Sequence, residues 1–307
     1  METIRLYDVT PRDGLQNEPD IVATEDKVEL ILNLVGAGYK DIEVTSFVRP
    51  SWIPQLADGA AVLKALPVAP EGVRFWSLIP NRRGLELALS AGVQHIATFM
   101  SASESHNRKN LNRTQQESLN NLKTVMSIAK DEQLSIRAYL STVFGCPYEG
   151  HVSVERSVEL ASRLLEMGAD EIALGDTTGM GNPNLVTEVI SAMETAGIPL
   201  SKLALHMHDT RGTGLVNILA GYQAGIRTFD GSTGGVGGCP YAPGASGNVA
   251  TEDIVNLFEC MGISTGIDLD NAVMTAADLS NTLGRDLPGR YYRYHIGAQQ
   301  RARRTTA

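Results

Sequence analysis

The chain has 307 residues, 43% of them hydrophobic, which suffices for the core of one large α/β barrel or of two ordinary domains. Its formal net charge of −9 excludes a general polyanion-binding surface, and so a nucleic-acid partner, because such binding rests on clustered cations. No run approaches the roughly 18 uninterrupted apolar residues of a membrane span, and no apolar signal segment opens the chain, so a cytoplasmic protein with no membrane partner is expected.

Short β-rich runs alternate with amphipathic stretches. TIRLYDV (3–9) is predicted as a strand and TEDKVELILNLVGAG (24–38) as the helix after it. KDIEVTS (40–46) pairs with WIPQLADGAAVLKAL (52–66), VRFWSLI (73–79) with NRRGLELALSAG (81–92), and VQHIATFM (93–100) with TQQESLNNLKTVMSIAKDEQ (114–133). In the second half LSIRAYLST (134–142) pairs with SVERSVELASRLLEMG (153–168), and EIALGD (171–176) with NLVTEVISAMETAG (184–197). LALHMH (203–208) then pairs with TGLVNILAGYQAG (213–225), and IRTFDGS (226–232) with TEDIVNLFECMG (251–262). Eight such units predict a single α/β domain: a (β/α)8 TIM barrel over residues 4–264 with a short C-terminal helical extension over 265–307. The extension is expected to carry a helix near 270–285 and a frayed basic tail from residue 293. An open doubly wound sheet is the structural alternative, but no G-x-G-x-x-G follows the first strand.

Barrel active sites lie at the C-terminal ends of the strands, so polar residues there are read for function first. Ala204, His206 and His208 share one face of the seventh strand, while Leu205 and Met207 share the other. Both imidazoles then point into the barrel mouth. The same parity sends Glu43 of the second strand inward, between the outward Ile42 and Val44. An inward carboxylate is costly unless paired. The two histidines are either hydrogen-bonded core residues or ligands of one cation, which would relieve the conflict of two adjacent imidazoles. Asp13, after the first strand, and Asn248, after the eighth, are the expected company. A His, carboxylate and amide-oxygen set without thiolate suits Mg²⁺ or Mn²⁺, although imidazole also suits Zn²⁺. The glycine-rich stretch GGVGGCPYAPGASGN (234–248) carries Cys239 and is expected to lie over the mouth as a lid. Cys146, Cys239 and Cys260 form no C-x-x-C pair and read as reduced thiols.

TPRDGLQNE, IEVTSFV, FGCPYEG, LGDTTGMG, HMHDTRGTG and GGCPYAPGASGNVATED, in this order between about residues 4 and 285, resemble the 3-hydroxy-3-methylglutaryl-CoA lyase family of metal-dependent TIM-barrel lyases. The resemblance implies a divalent metal on Asp13, His206, His208 and Asn248. It implies catalytic roles for Arg12 and Cys239, supported by Glu43 and Glu252, with Arg12, Gln16 and Asp176 contacting substrate. It further implies an acyl-CoA substrate, split into acetyl-CoA and acetoacetate as in leucine degradation, and a homodimer or higher homo-oligomer. His206 or Asp13 would take the hydroxyl proton, Arg12 would stabilise the enolate oxygen, and Cys239 would return a proton to the enolate. Asp176 shares the parity of Ile172 and Leu174 and reaches the mouth only if its strand breaks at Gly175. Glu252 opens the last barrel helix, where a carboxylate is also ordinary capping chemistry. HNRKN (106–110) reads as an exposed basic loop or a contact for CoA phosphates. Arg113 stands where animal mitochondrial members carry a cysteine, which leaves isohexenylglutaryl or citramalyl thioesters open as the acyl group. An acetyl-CoA-dependent condensing synthase and a catalytically dead barrel are the remaining alternatives.

Overall fold

A computed structural model describes residues 2–238 and 247–305. Among them, eight parallel strands close into a barrel in sequence order: β1 Arg5–Asp8, β2 Asp41–Ser46, β3 Arg74–Leu78, β4 His95–Ser101, β5 Ser135–Ser141, β6 Glu171–Asp176, β7 Leu203–Met207 and β8 Thr228–Gly231. The seam pairs Arg5 through Asp8 of β1 with Thr228 through Gly231 of β8.

Strand parity sorts the side chains into two environments. Ile42, Val44, Ile172, Leu174, Leu205 and Met207 join the large core under the surrounding helices. Leu78, Ala97, Tyr139, Ala173 and Ala204 form a separate cluster inside the barrel. Small residues at those interior positions leave room for charged ones, and Arg137, Glu43 and Asp230 are buried there. The predicted inward placement of His206 and Glu43 and the outward placement of their neighbours are therefore both observed.

Three local expectations need correction. The helix expected over 52–66 is shorter: a 3-10 turn Pro54–Leu56 precedes a helix Gly59–Ala65, whose first residue lies too close to the Thr45 side chain for any Cβ. The HNRKN stretch is not a loop but a helix, Glu104–Leu111. It has little apolar surface and is held by polar bonds. Ser103 Oγ accepts from the His106 N–H, and buried Asn107 accepts from Ser101 N–H while donating to Arg113 O and Ser118 Oγ. The tail forms a helix, Arg290–Thr305, because the Asp253 carboxylate accepts the N–H groups of Arg290 and Tyr291 at 3.1 and 2.6 Å. The helix Leu269–Leu283 puts Ala272, Val273, Ala276 and Leu279 into the core shared with the barrel helices. No described helix is long and apolar enough to cross a membrane.

Candidate active site

The turn after β1 is wound wider than an α-helix. The N–H groups of Arg12, Asp13 and Gly14 all converge on Val9 O at 3.2, 2.8 and 3.1 Å. This π-type turn sets Arg12 and Asp13 at the mouth rather than along a helix flank. Asp8 and Thr10 tie the turn to the opposite side of the seam, since Thr10 Oγ1 accepts from Thr233 N–H at 2.7 Å and Asp8 accepts from Thr251 at 3.0 Å.

Arg12 is buried and donates through Nε to Glu43 Oε2 at 2.6 Å, while its Nη1 pairs with Asp13 Oδ1. Tyr139 Oη donates to the same Glu43 oxygen at 3.2 Å. Burial pushes the Glu43 carboxyl up, and the Arg12 charge opposes it without cancelling it. Burial would also raise Asp13, but Arg12 and the two imidazoles outweigh it and hold this carboxyl well below the usual range. Asp13 is therefore an ionised carboxylate facing the histidines.

The imidazoles converge as the parity argument requires. His206 Nε2 lies 3.2 Å from His208 Nε2, and each lies 4.0 Å from Asp13 Oδ2. Asn248 joins them through an isolated bridge to His208, and its Nδ2 donates to Asp13 Oδ2 at 2.8 Å. His206 Nδ1 donates to Asp230 Oδ2 at 3.0 Å, which orients its Nε2 toward the cluster. Burial, and then His206, lowers the His208 pKa to about 4. Asp13, His206 and His208 thus point three donor atoms at one small volume. Two imidazoles and an ionised carboxylate converging on one small volume are a donor set that fits a divalent cation.

A cavity of about 360 Å³ opens over this cluster, and its lining includes Arg12, Asp13, Gln16, Tyr139, His206 and His208. Gln16 stands where a substrate contact was expected. His106, Asn110 and Arg113 form part of the outer wall, so one face of the unpredicted helix Glu104–Leu111 looks into the mouth. The remaining expected residues lie elsewhere. Asp176 continues β6 without a break and accepts the N–H groups of Met180 and Gly181 at 2.8 and 3.0 Å, outside the cavity lining. It shares the outward parity of Leu174 and closes the turn after β6. Glu252 lies behind the site, where its Oε2 accepts from Gly234 N–H at 3.0 Å and its buried Oε1 has no hydrogen-bond partner among the described residues. Cys239 lies outside the described residues, as does the greater part of the expected lid.

Sequence reasoning missed Tyr139, Arg137 and Asp230. Arg137 and Tyr139 sit two apart on β5 and Asp230 follows Phe229 on β8, so the parity that placed Glu43 also places all three inside. Among the described cysteines, Cys146 is buried and Cys260 exposed, and both are free thiols.

Comparison with known proteins gives a consistent picture. The family model HMGL-like matches residues 3–279. The chain is 50% identical over 287 residues to hydroxymethylglutaryl-CoA lyase YngG of Bacillus subtilis (strain 168), covering 94% of this chain and 95% of that one. It superposes on the crystal structure of the Bacillus subtilis HMG-CoA lyase with a TM-score of 0.94 at 48% identity, covering 96% and 99% of the two chains. An HMG-CoA lyase from Acinetobacter baumannii, solved in complex with coenzyme A and 3-methylmalate, matches with a TM-score of 0.89 at 40% identity, covering 94% and 93%.

Proposed function

The chain belongs to the HMGL-like family, and we infer from that membership that it is a carbon-carbon lyase cleaving (3S)-3-hydroxy-3-methylglutaryl-CoA to acetyl-CoA and acetoacetate, the chemistry of leucine degradation. The observation that supports this most directly is the cluster of Asp13, His206 and His208 beside a buried arginine in one cavity.

Asp13, His206, His208 and Asn248 are the proposed holders of a divalent cation, Mg²⁺ or Mn²⁺ by the oxygen share of the set. When bound, it would lower the pKa of the substrate's tertiary hydroxyl and hold that group in place. His206 or Asp13 is the proposed acceptor of the hydroxyl proton. As the bond between the α-carbon of the thioester and the carbinol carbon breaks, the hydroxyl carbon becomes the ketone of acetoacetate. The electron pair moves onto the thioester as an enolate. Arg12, fixed on two sides by Glu43 and Asp13, presents its guanidinium to the enolate oxygen without having to reorganise. Cys239 is the proposed donor of the proton that turns the enolate carbon into the methyl of acetyl-CoA. A cytoplasmic enzyme acting on a CoA thioester, as a homodimer or higher homo-oligomer, completes the reading.

The test is release of acetyl-CoA and acetoacetate from a thioester panel of methylglutaryl, isohexenylglutaryl and citramalyl substrates, with and without chelator. Methylglutaryl turnover that chelator abolishes and Mg²⁺ or Mn²⁺ restores is the expected result. Undiminished turnover in chelator would overturn the metal assignment, and preference for another thioester would overturn the acyl group.

A further inference from the structure

Arg137 is the largest fully buried side chain among the described residues, and the cavity lining does not include it. Its guanidinium lies 3.9 Å from the centre of the Tyr7 ring. Its Nε donates to Glu171 at 2.7 Å, its Nη1 to Tyr139 Oη and to Asp230 Oδ2, both at 2.9 Å, and its Nη2 to Asp230 Oδ1 at 2.6 Å. Two chains of bonds leave this one group. One runs through Asp230 to His206 Nδ1, and the other runs through Tyr139 and Glu43 to Arg12 Nε. The imidazole of the candidate cation cluster and the guanidinium that would meet the enolate are thus hung from a common cation.

We propose that Arg137 is a positioning residue for the lyase reaction, setting the spacing between Arg12 and His206 from beneath the site. The proposal rests on the lyase reading. A rigid planar fork is what the arrangement needs, because its donors leave in fixed directions toward Asp230, Tyr139 and Glu171 at once. Lysine would keep the charge and lose those directions, so Arg137→Lys separates geometry from electrostatics.

The experiment uses the full chain, the single variants Arg137→Lys, Tyr139→Phe and Asp230→Asn, and the double variant that joins Arg137→Lys to Asp230→Asn. Mn²⁺ affinity is read by electron paramagnetic resonance, kcat and KM with the methylglutaryl thioester, and folding by circular dichroism. Asp230→Asn is expected to weaken Mn²⁺ binding by about 10- to 100-fold, the range for residues that orient a ligand. Tyr139→Phe is expected to lower kcat with Mn²⁺ affinity unchanged. Arg137→Lys is expected to do both, with kcat falling by a larger factor than KM rises. Adding Asp230→Asn to Arg137→Lys should weaken Mn²⁺ binding no further. A folded Arg137→Lys variant with wild-type Mn²⁺ affinity and kcat overturns the proposal. If Arg137→Lys does not fold, the two arm variants decide it, and an equal effect of both on Mn²⁺ affinity overturns it. Failure of the wild-type chain to cleave any thioester would overturn the lyase reading instead, while Mn²⁺ affinity continues to report on the Asp230 arm.

Discussion

Arg12 is held by two carboxylates inside the barrel, which is an unusual commitment for a side chain proposed to meet substrate as well. Its charge is secured by its partners, so its contribution is direction. Arg12→Gln is expected to lower kcat by about two to three powers of ten with Mn²⁺ affinity nearly intact, measured by steady-state kinetics beside a binding titration. A drop of less than about tenfold would reduce Arg12 to a structural ion pair. Glu252 makes a different prediction. Burial, reinforced by the nearby Asp253 charge, pushes its pKa up to about 8, so the folded chain holds a proton there that the unfolded chain releases near the ordinary carboxyl value. Stability is then fully present at low pH and falls as pH rises toward about 8, by at most about 1.4 kcal/mol per pH unit. Asp8 and Asp176 are raised only to about 6, while Glu43 and Asp253 are raised as well, so the share of the fall between pH 6.5 and 8 that belongs to Glu252 is the part its substitution removes. Urea denaturation across that window should show a fall for the wild type and a flatter line for Glu252→Gln. Parallel slopes would exclude the assignment.

At the scale of elements, the site depends on backbone shapes more than on regular structure. Gly237 has φ of 131°, and a Cβ built there would lie 2.5 Å from Asn248 Nδ2. Gly237→Ala should therefore displace Asn248 and weaken Mn²⁺ binding by roughly tenfold or more, with a small change in melting temperature. Unchanged affinity would show that Asn248 is not a ligand. The same distinction explains what was legible in the sequence. The strands and most barrel helices bury one apolar face, and that periodicity can be read from residue order alone. The helix Glu104–Leu111 is held by Ser103, Asn107 and other polar partners, and the helix Arg290–Thr305 is started by a carboxylate some 37 residues earlier in the chain. The first signal lies in polar residues that carry no apolar periodicity, and the second is not local. Parity placed His206, His208 and Glu43 correctly and flagged Asp176 as outward on an unbroken strand, which is where it lies. The hub of Arg137, Tyr139 and Asp230 was missed because each looks like an isolated polar residue until barrel closure brings β5 and β8 to one centre.

For the molecule as a whole, the donors come from three distant parts of the chain: the turn after β1, the end of β7 and the segment beyond β8. A cation held by all of them binds the closed barrel and not the open chain, so its binding free energy adds to folding. At a free Mn²⁺ concentration 100 times its dissociation constant, the gain is about 2.7 kcal/mol. Calorimetry should show a melting temperature that climbs with Mn²⁺, and His208→Ala should lose most of that climb. Equal climbs in both would mean that the ion acts elsewhere.

The seam between β1 and β8 has a consequence for biosynthesis. Asp13 leaves the ribosome early, but Asn248 follows 235 residues later, beyond the strand that closes the barrel onto β1. A nascent chain that stops short of β8 can hold neither the closed sheet nor the whole donor set. Translation therefore delivers the reactive centre and the finished scaffold together, and a chain stalled partway has no assembled centre to expose.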